Sequence, residues 1–281
     1  MTTPSPTVRQ RELGTRLREL RNALGLTVEE VADKLLCSAA KVSRVETGMR
    51  RPTYRDIRDL CVLYGVSDVE SAELMELAKM AREQGWWTEY SDLKLEPYIG
   101  LEESAASITC FSMYYVPALL QTEPYAREMI KAIAPKMDQK VYDQRVKVRM
   151  RRQRLLEQDS PPRYRLLLDE AVLVRRVGGA AVMAAQLAKI LAQVRASKAT
   201  VQVIPFDVGA YAASDGSFVF LELREPLSAV VFVEGLIKNQ YHEKPYEIER
   251  YQESIESIRD SALTPRDSIA LISDLQNSYA E

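Results

Sequence analysis

The chain has 281 residues, 46% of them hydrophobic, which exceeds the usual single domain and suffices for more than one packed core. No apolar run reaches the roughly 18 residues of a membrane span, and three widely spaced cysteines without a CxxC (Cys37, Cys61, Cys110) argue against a disulfide framework or a zinc site. The net charge of −2 hides an asymmetry: residues 1–70 carry 12 Lys and Arg against 10 Asp and Glu, the remainder 26 against 30, so basic character is confined to the amino-terminal part.

The first element is a helix from about Val8 to Leu24, with Leu13, Leu17, Leu20 and Leu24 on one stripe and Gly25 as its stop. Thr27 with Glu30 forms a capping box for a second helix, Ser38 is a good N-cap for a third, and Gly48 supplies a left-handed stop. Two short helices joined by a tight turn over Thr27–Pro52 (TVEEVADKLLCSAAKVSRVETGMRRP) fit a protein that pushes a helix into the DNA major groove. At about 100° per residue, Val42, Val45 and Met49 fall on one side of the third helix. Ala40, Ser43, Arg44 and Thr47 fall roughly opposite, with Ala39 and Lys41 on the flanks. Small residues let a helix backbone approach bases: Ala39 and Ala40 permit that approach, Arg44 reaches guanine O6 and N7, and Ser43 serves either strand. From Ser38 to Arg58 the positive residues are Lys41, Arg44, Arg50, Arg51, Arg55 and Arg58, against Glu46 and Asp56. Such clustering suits phosphate contacts, the alternative being a solvated charged loop.

With these residues, 8–65 resembles the five-helix repressor domains of the phage lambda Cro and repressor type, often called the xenobiotic-response-element family. The match covers helix, turn, helix, the V-S-R-V-E-T-G ending at Gly48 and the following R-R-P. The resemblance implies base-reading positions at Ala39, Ala40, Ser43 and Arg44. It implies phosphate-holding positions at Thr27, Lys41, Arg50, Arg51 and Thr53, with the Ser38 cap grouped among them, and a partly buried ion pair between Arg21 and Glu46. Alanines stand where glutamines read bases in the best-known members, so their operators do not carry over.

Further along, Ile57, Leu60, Cys61 and Tyr64 give a fourth helix over Tyr54–Tyr64, stopped by Gly65. Ser67 with Glu70 opens a fifth that runs to about Gln84 and stops at Gly85. Trp86 and Trp87 follow, either covering the end of that helix or clamping a domain junction or dimer contact. Residues 84–100 read as a linker with a polar stretch, Thr88 to Lys94. From Leu101 the pattern is helical: a segment to Met113, a turn at Pro117, then Tyr125–Ile133 and Val141–Glu157. The last carries Arg145, Lys147, Arg149, Arg151, Arg152 and Arg154, a contact surface or a solvated face. Tyr164–Leu168, a helix over Val182–Ala196 and Thr200–Phe206 form a strand, helix, strand unit with parallel strands. Ser217–Leu223 and Ala229–Glu234, joined through residues 224–228, add an antiparallel portion, and helices over Tyr246–Ser261 and Ser268–Leu275 close the chain.

A second resemblance rests on V-P-A-L-L-Q-T-E from Val116 with Tyr125-Ala126, Asp169-Glu170-Ala171 with Gly178-Gly179, and Val203-Ile204-Pro205-Phe206 with Gly209. These look like the C-terminal domain of actinobacterial, antitoxin-like transcriptional regulators, usually encoded beside a small partner protein. The resemblance covers about 95–265 and implies a partner but no catalytic residues.

Enzyme chemistry finds little support. A lone His242 rules out a histidine metal cluster, Gly178-Gly179 lacks the spacing of a dinucleotide loop, and no catalytic, metal or cofactor site is expected. The loop 207–217, after a parallel strand, is a candidate ligand loop through Tyr211, Ser214 and Asp215, or a plain hairpin loop. The expected fold is multidomain. An all-α helix-turn-helix domain at 8–83 and the linker at 84–100 precede a regulatory and dimerisation domain at 101–281, helical over 101–160 and mixed α/β over 161–281. The expected function is a homodimeric, sequence-specific DNA-binding transcriptional regulator. Its C-terminal domain senses a partner protein or small ligand, and its operator is a pseudo-palindrome. The alternative is an antitoxin-like protein whose main task is binding a small partner encoded nearby. Residues 1–8 (MTTPSPTV) lack a signal-peptide pattern, so the cytoplasm, and the nucleoid when bound to DNA, is the expected location.

Overall fold

The computed structural model describes residues 5–83, 85–93, 96–224, 227 and 229–280. Parts of the expected leader reading, linker and strand connection (1–4; 84, 94 and 95; 225, 226 and 228) lie outside the described residues. Two compact units emerge, one over 5–89 with 96–104, the other largely over 105–223 and 229–280. Among the described residues no helix is long and apolar enough to cross a membrane.

The first unit is helical: α1 (Pro6–Ala23), α2 (Val28–Lys34), α3 (Ala39–Glu46), α4 (Tyr54–Tyr64), α5 (Asp68–Met80) and α6 (Glu96–Ser104). Each of the first five starts on a hydroxyl: the side chains of Ser5, Thr27, Ser38, Thr53 and Ser67 accept from a backbone N–H one turn on. The core gathers Leu13 and Leu17 of α1, Val31 of α2, Val42 and Val45 of α3, Ile57 of α4 and Leu74 of α5. Two residues assigned to apolar stripes are on the surface. Leu24 (50% exposed) caps α1 at the point where left-handed Gly25 turns the chain, and Met49 (62% exposed) follows left-handed Gly48, where helical periodicity has ended.

Helix α5 ends at Met80, earlier than Gln84. The expected linker also contains structure, because α6 packs on α1: Ser5 Oγ donates to the Gly100 carbonyl (2.6 Å) and the Ser5 N–H donates to Ser104 Oγ (3.0 Å). Trp87 is buried within this unit against Gly85, where a Cβ would collide with its ring, and Gly100, where a Cβ would stand 3.1 Å from the ring and collide with Thr7. Trp86 meets it edge-on at 5.9 Å and its Nε1 donates to Glu103.

The second unit is built on a six-stranded mixed sheet. In chain order it comprises β1 (Ala105–Ser112), α7 (Glu123–Ile133), α8 (Gln139–Arg152), β2 (Arg163–Asp169), α9 (Ala171–Val174), α10 (Ala180–Arg195), β3 (Thr200–Ile204), β4 (Phe218–Leu223), β5 (Val230–Val233), β6 (Gln240–His242), α11 (Pro245–Ser261) and α12 (Pro265–Ala280). The spatial order is β3-β2-β1-β4-β5-β6, with β1, β2 and β3 parallel and the remaining pairs antiparallel. The expectation that 101–160 is helical is corrected by the fold: Ala105–Ser112 is a strand at the centre of the sheet, flanked on both edges and buried at nearly every position. Helix α8 also stops at Arg152 and continues as a 3-10 turn to Glu157.

The carboxyl ends of β1, β2 and β3 lie at one edge of this sheet. The pairs Phe111 with Phe218 and Val219 with Phe232 bring the start of β4 and the end of β5 to that same edge. The chain leaves β1 toward β2 and β3, then returns on the other side as β4, so β1 is a topological switch point, where open sheets bind ligands.

Candidate nucleic-acid interface

Helices α2 and α3 are joined by a turn at Leu35–Ser38, in which Leu36 takes a left-handed conformation (φ 50°) and points its side chain into solvent at 95% exposure. The Cys37 N–H closes the turn on the Ala32 carbonyl (2.9 Å). Thr27 completes a full capping box with Glu30, so its hydroxyl and backbone N–H are both engaged inside the protein.

On α3 the two faces separate cleanly. Val42, Val45 and Glu46 are buried, while Ala40, Ser43, Arg44 and Thr47 are exposed. Ala39 and Lys41 are half-buried, and Ala39 packs partly against the core. Arg44 lies back along its own helix, its Nε donating to the Ala40 carbonyl (3.0 Å), and Thr47 Oγ1 donates to the Ser43 carbonyl (2.9 Å). Under the helix, Arg21 grips Glu46 with both prongs: Nε to Oε1 at 2.7 Å and Nη2 to Oε2 at 2.9 Å. Its Nη1 donates to the Leu26 carbonyl (2.7 Å), so one guanidinium ties α1, the α1–α2 turn and α3 together. The Glu46 bond raises the Arg21 pKa against the opposing effect of burial.

Gly14 sets how closely α1 approaches α3. A Cβ there would stand 2.6 Å from the Val45 and Glu46 carbonyl oxygens, so α1 backbone touches the end of α3 directly.

The basic loop after α3 is braced rather than free. Gln10 Nε2 donates to the Gly48 carbonyl (2.7 Å) while its Oε1 accepts from Arg51 Nε (3.1 Å). Arg82 lies over the Tyr54 ring at 4.4 Å and donates to the Pro52 carbonyl (2.8 Å). Arg50 and Arg51 remain exposed. Thr53 caps α4 in a capping box with Asp56, and Ser38 Oγ accepts from the Lys41 N–H (3.2 Å). Lys41 differs from a free phosphate ligand, since its Nζ sits 2.5 Å from Asp56 Oδ1. Burial pushes the Asp56 carboxyl up, but the bonds from Lys41 and Thr53 outweigh it and hold the group below its usual range. Arg55 and Arg58 face Asp59 at 3.6 and 2.8 Å. Gln10, Asp56, Asp59 and Arg82 therefore shape the surface, although the sequence does not mark them as site residues. Their partners are mostly on other elements, where no local motif signals them.

The three residues of the candidate ligand loop do not converge on one point. Tyr211 turns inward, its hydroxyl donating to Asp169 Oδ2 (2.6 Å) at the end of β2 and its ring meeting Phe111 edge-on. Burial, then the Asp169 bond, raise its pKa. Ser214 is spent within the loop, bonding both the N–H and the carbonyl of Tyr211, and Asp215 is exposed. His242, beside the Tyr251 ring, lies 3.5 Å from Glu247. Among the described residues no group of three His, Cys, Asp or Glu is placed to hold a metal ion.

Two family descriptions match the chain. A helix-turn-helix domain matches residues 12–74, which contain α2, α3 and α4, and a domain of unknown function (DUF5753) matches residues 95–274. The first is a general helix-turn-helix match and does not single out the lambda repressor and Cro class. No curated protein matches the chain. A helix-turn-helix domain is a DNA-binding module, and the α2–α3 pair lies within the matched residues. The second match spans more than half of the chain and takes in every strand of the sheet, so the protein belongs to the DUF5753 family and carries a helix-turn-helix domain ahead of it.

Proposed function

We propose that the protein is a sequence-specific transcriptional regulator of the lambda repressor and Cro type, working inside the cell as a homodimer on a pseudo-palindromic operator. One observation carries this reading: α3 exposes Ala40, Ser43, Arg44 and Thr47 together while burying Val42 and Val45, with exposed Arg50 and Arg51 beside them. Small side chains over most of that face bring a helix axis close to bases. Arg44 is long enough to unfold from Ala40 and bond a guanine. Arg50 and Arg51, with Ser38 and Thr53 at helix N-termini, suit phosphates, which fix register without reading sequence. Thr27 and Lys41 contribute there while keeping their internal partners. The first unit forms the DNA-binding part and the second the regulatory and dimerising part, and a dimer sets two copies of α3 about 34 Å apart.

Binding isotherms on a selected operator and its single-base variants test this. Arg44→Ala should relax discrimination at one position per half-site by roughly 1–3 kcal/mol. Arg51→Ala should weaken every sequence alike and flatten the salt slope by about 0.9 for each phosphate no longer neutralised. Equal losses for Arg44→Ala on every sequence would remove its base-reading role.

A second reading, partner binding with DNA binding as autoregulation, draws support from Leu236 and Ile237, 99% and 97% exposed just beyond β5. Co-expression with the small protein encoded next to it should yield a stable complex that Leu236→Asp disrupts. Independent elution of the two proteins would discard this reading.

A further inference from the structure

The polar cluster at the switch-point edge of the second unit has more positive charge than its contacts satisfy. Gln121 and Gln186, both fully buried, form its frame. Gln121 Nε2 donates to the Val116 carbonyl (2.6 Å), and Gln186 accepts from the Thr122 N–H (2.7 Å) and donates to the Leu120 carbonyl (2.7 Å). Into that frame α8 projects Arg149, whose Nη1 donates to Gln121 Oε1 at 2.9 Å. Lys189 of α10 reaches the same place, with Nζ 2.9 Å from the Gln121 carbonyl and 2.6 Å from Gln153 Oε1. All of these acceptors are neutral.

Arg149 keeps part of its surface open while its charged head is strongly desolvated. Burial, aggravated by Arg152 and Arg145 nearby, drives its pKa down to about 10 against partial help from Glu234 and Tyr115. Glu234 already accepts from the Tyr115 hydroxyl (2.8 Å). One turn before Arg149 on the same helix, the buried Nε of Arg145 has no hydrogen-bond partner. Burial also lowers the Lys189 pKa, against a smaller opposing pull from Glu157. A guanidinium offers five N–H donors in a planar fork, and among the described residues Arg149 is hydrogen-bonded at Gln121 alone. Desolvated like charges held together by neutral amides are costly unless a counter-charge joins them.

We propose that this edge binds a small phosphate-bearing anion, clamped by Arg149 and Arg145, with Lys189, Gln121 and Gln153 ordering the floor. A phosphate fits better than a single carboxylate because it brings close to two negative charges and three acceptor oxygens to a fork built for bidentate bonding. The position agrees with the fold, since the cluster lies where the chain changes direction around β1. The site belongs wholly to the second unit and does not depend on the function of the DNA-binding face.

The probe is inorganic pyrophosphate, titrated calorimetrically into the full-length protein, with sodium chloride at matched ionic strength as the reference. Pyrophosphate should bind saturably, and Arg149→Gln should weaken it at least tenfold. Arg145→Gln removes an N–H that bonds nothing in the structure, so the fold should survive it, and the same tenfold loss is expected. That variant decides the matter by itself if Arg149→Gln does not fold. Arg51→Ala should leave the binding unchanged, which separates this site from the basic loop of the first unit. Heat matched by chloride alone, retained affinity in Arg145→Gln, or loss confined to Arg51→Ala would overturn the proposal.

Discussion

At the scale of single residues, the Arg21–Glu46 pair is the most consequential contact in the first unit. Glu46 is buried on the inner side of the same helix that displays Ser43 and Arg44. Replacing Arg21 by Met strands a carboxylate whose side chain is 4% exposed, and one-sided removal of such a partner costs roughly 3–5 kcal/mol. Urea unfolding should show that loss, whereas Arg21→Met combined with Glu46→Leu should recover most of it, because two apolar side chains carry no desolvation cost. An unchanged midpoint in Arg21→Met would mean that the pair contributes nothing.

At the scale of elements, the contact between α1 and α3 depends on an absent side chain. Gly14→Ala places a methyl 2.6 Å from two backbone carbonyls, which cannot yield as a flexible side chain does. Overpacking of this kind costs typically 1–3 kcal/mol, and here it also tilts α3. Operator affinity should therefore fall more than the thermal midpoint suggests, measurable by comparing the two on one preparation. A neutral result for both would show that the helices separate freely. Elements also show which features are legible in the sequence. The capping box at Thr27 and the left-handed stops at Gly48 and Gly65 are encoded within a few residues, and they stand in the sequence as they do in the structure. Strand β1 is not legible. It follows α6 without a Gly or Pro to mark the change, and a strand buried on both faces loses the alternation that identifies one. Strand β6 is three residues long, too short for any period. In the candidate interface the outward face of α3 can be read by helical arithmetic. The Lys41–Asp56 and Gln10–Arg51 pairs cannot, being 15 and 41 residues apart.

At the scale of the whole molecule, acid should destabilise the amino-terminal unit. Asp56 has a folded pKa held below the carboxylate's usual value, so its pairing stabilises the fold at all pH values above the unfolded pKa of about 4. That contribution disappears as pH falls through the lower, folded value. Circular dichroism melts between pH 7 and pH 3 should show the helical signal of the first unit destabilised below about pH 4, and Asp56→Asn should blunt that dependence. A profile identical in the variant would assign the acid sensitivity to other carboxylates.

The ammonium of Lys41 already has a resident anion at 2.5 Å, in a place where a polyanion would otherwise be its natural companion. Its attraction for an arbitrary stretch of duplex is accordingly muted, whereas Arg55 and Arg58, highly exposed and sharing the one carboxylate of Asp59, keep a net positive charge. Under the proposed role such a protein would hold wrong sites loosely and leave them quickly, so residence at the right one would rest on Arg44 and on the small side chains of α3 at close range.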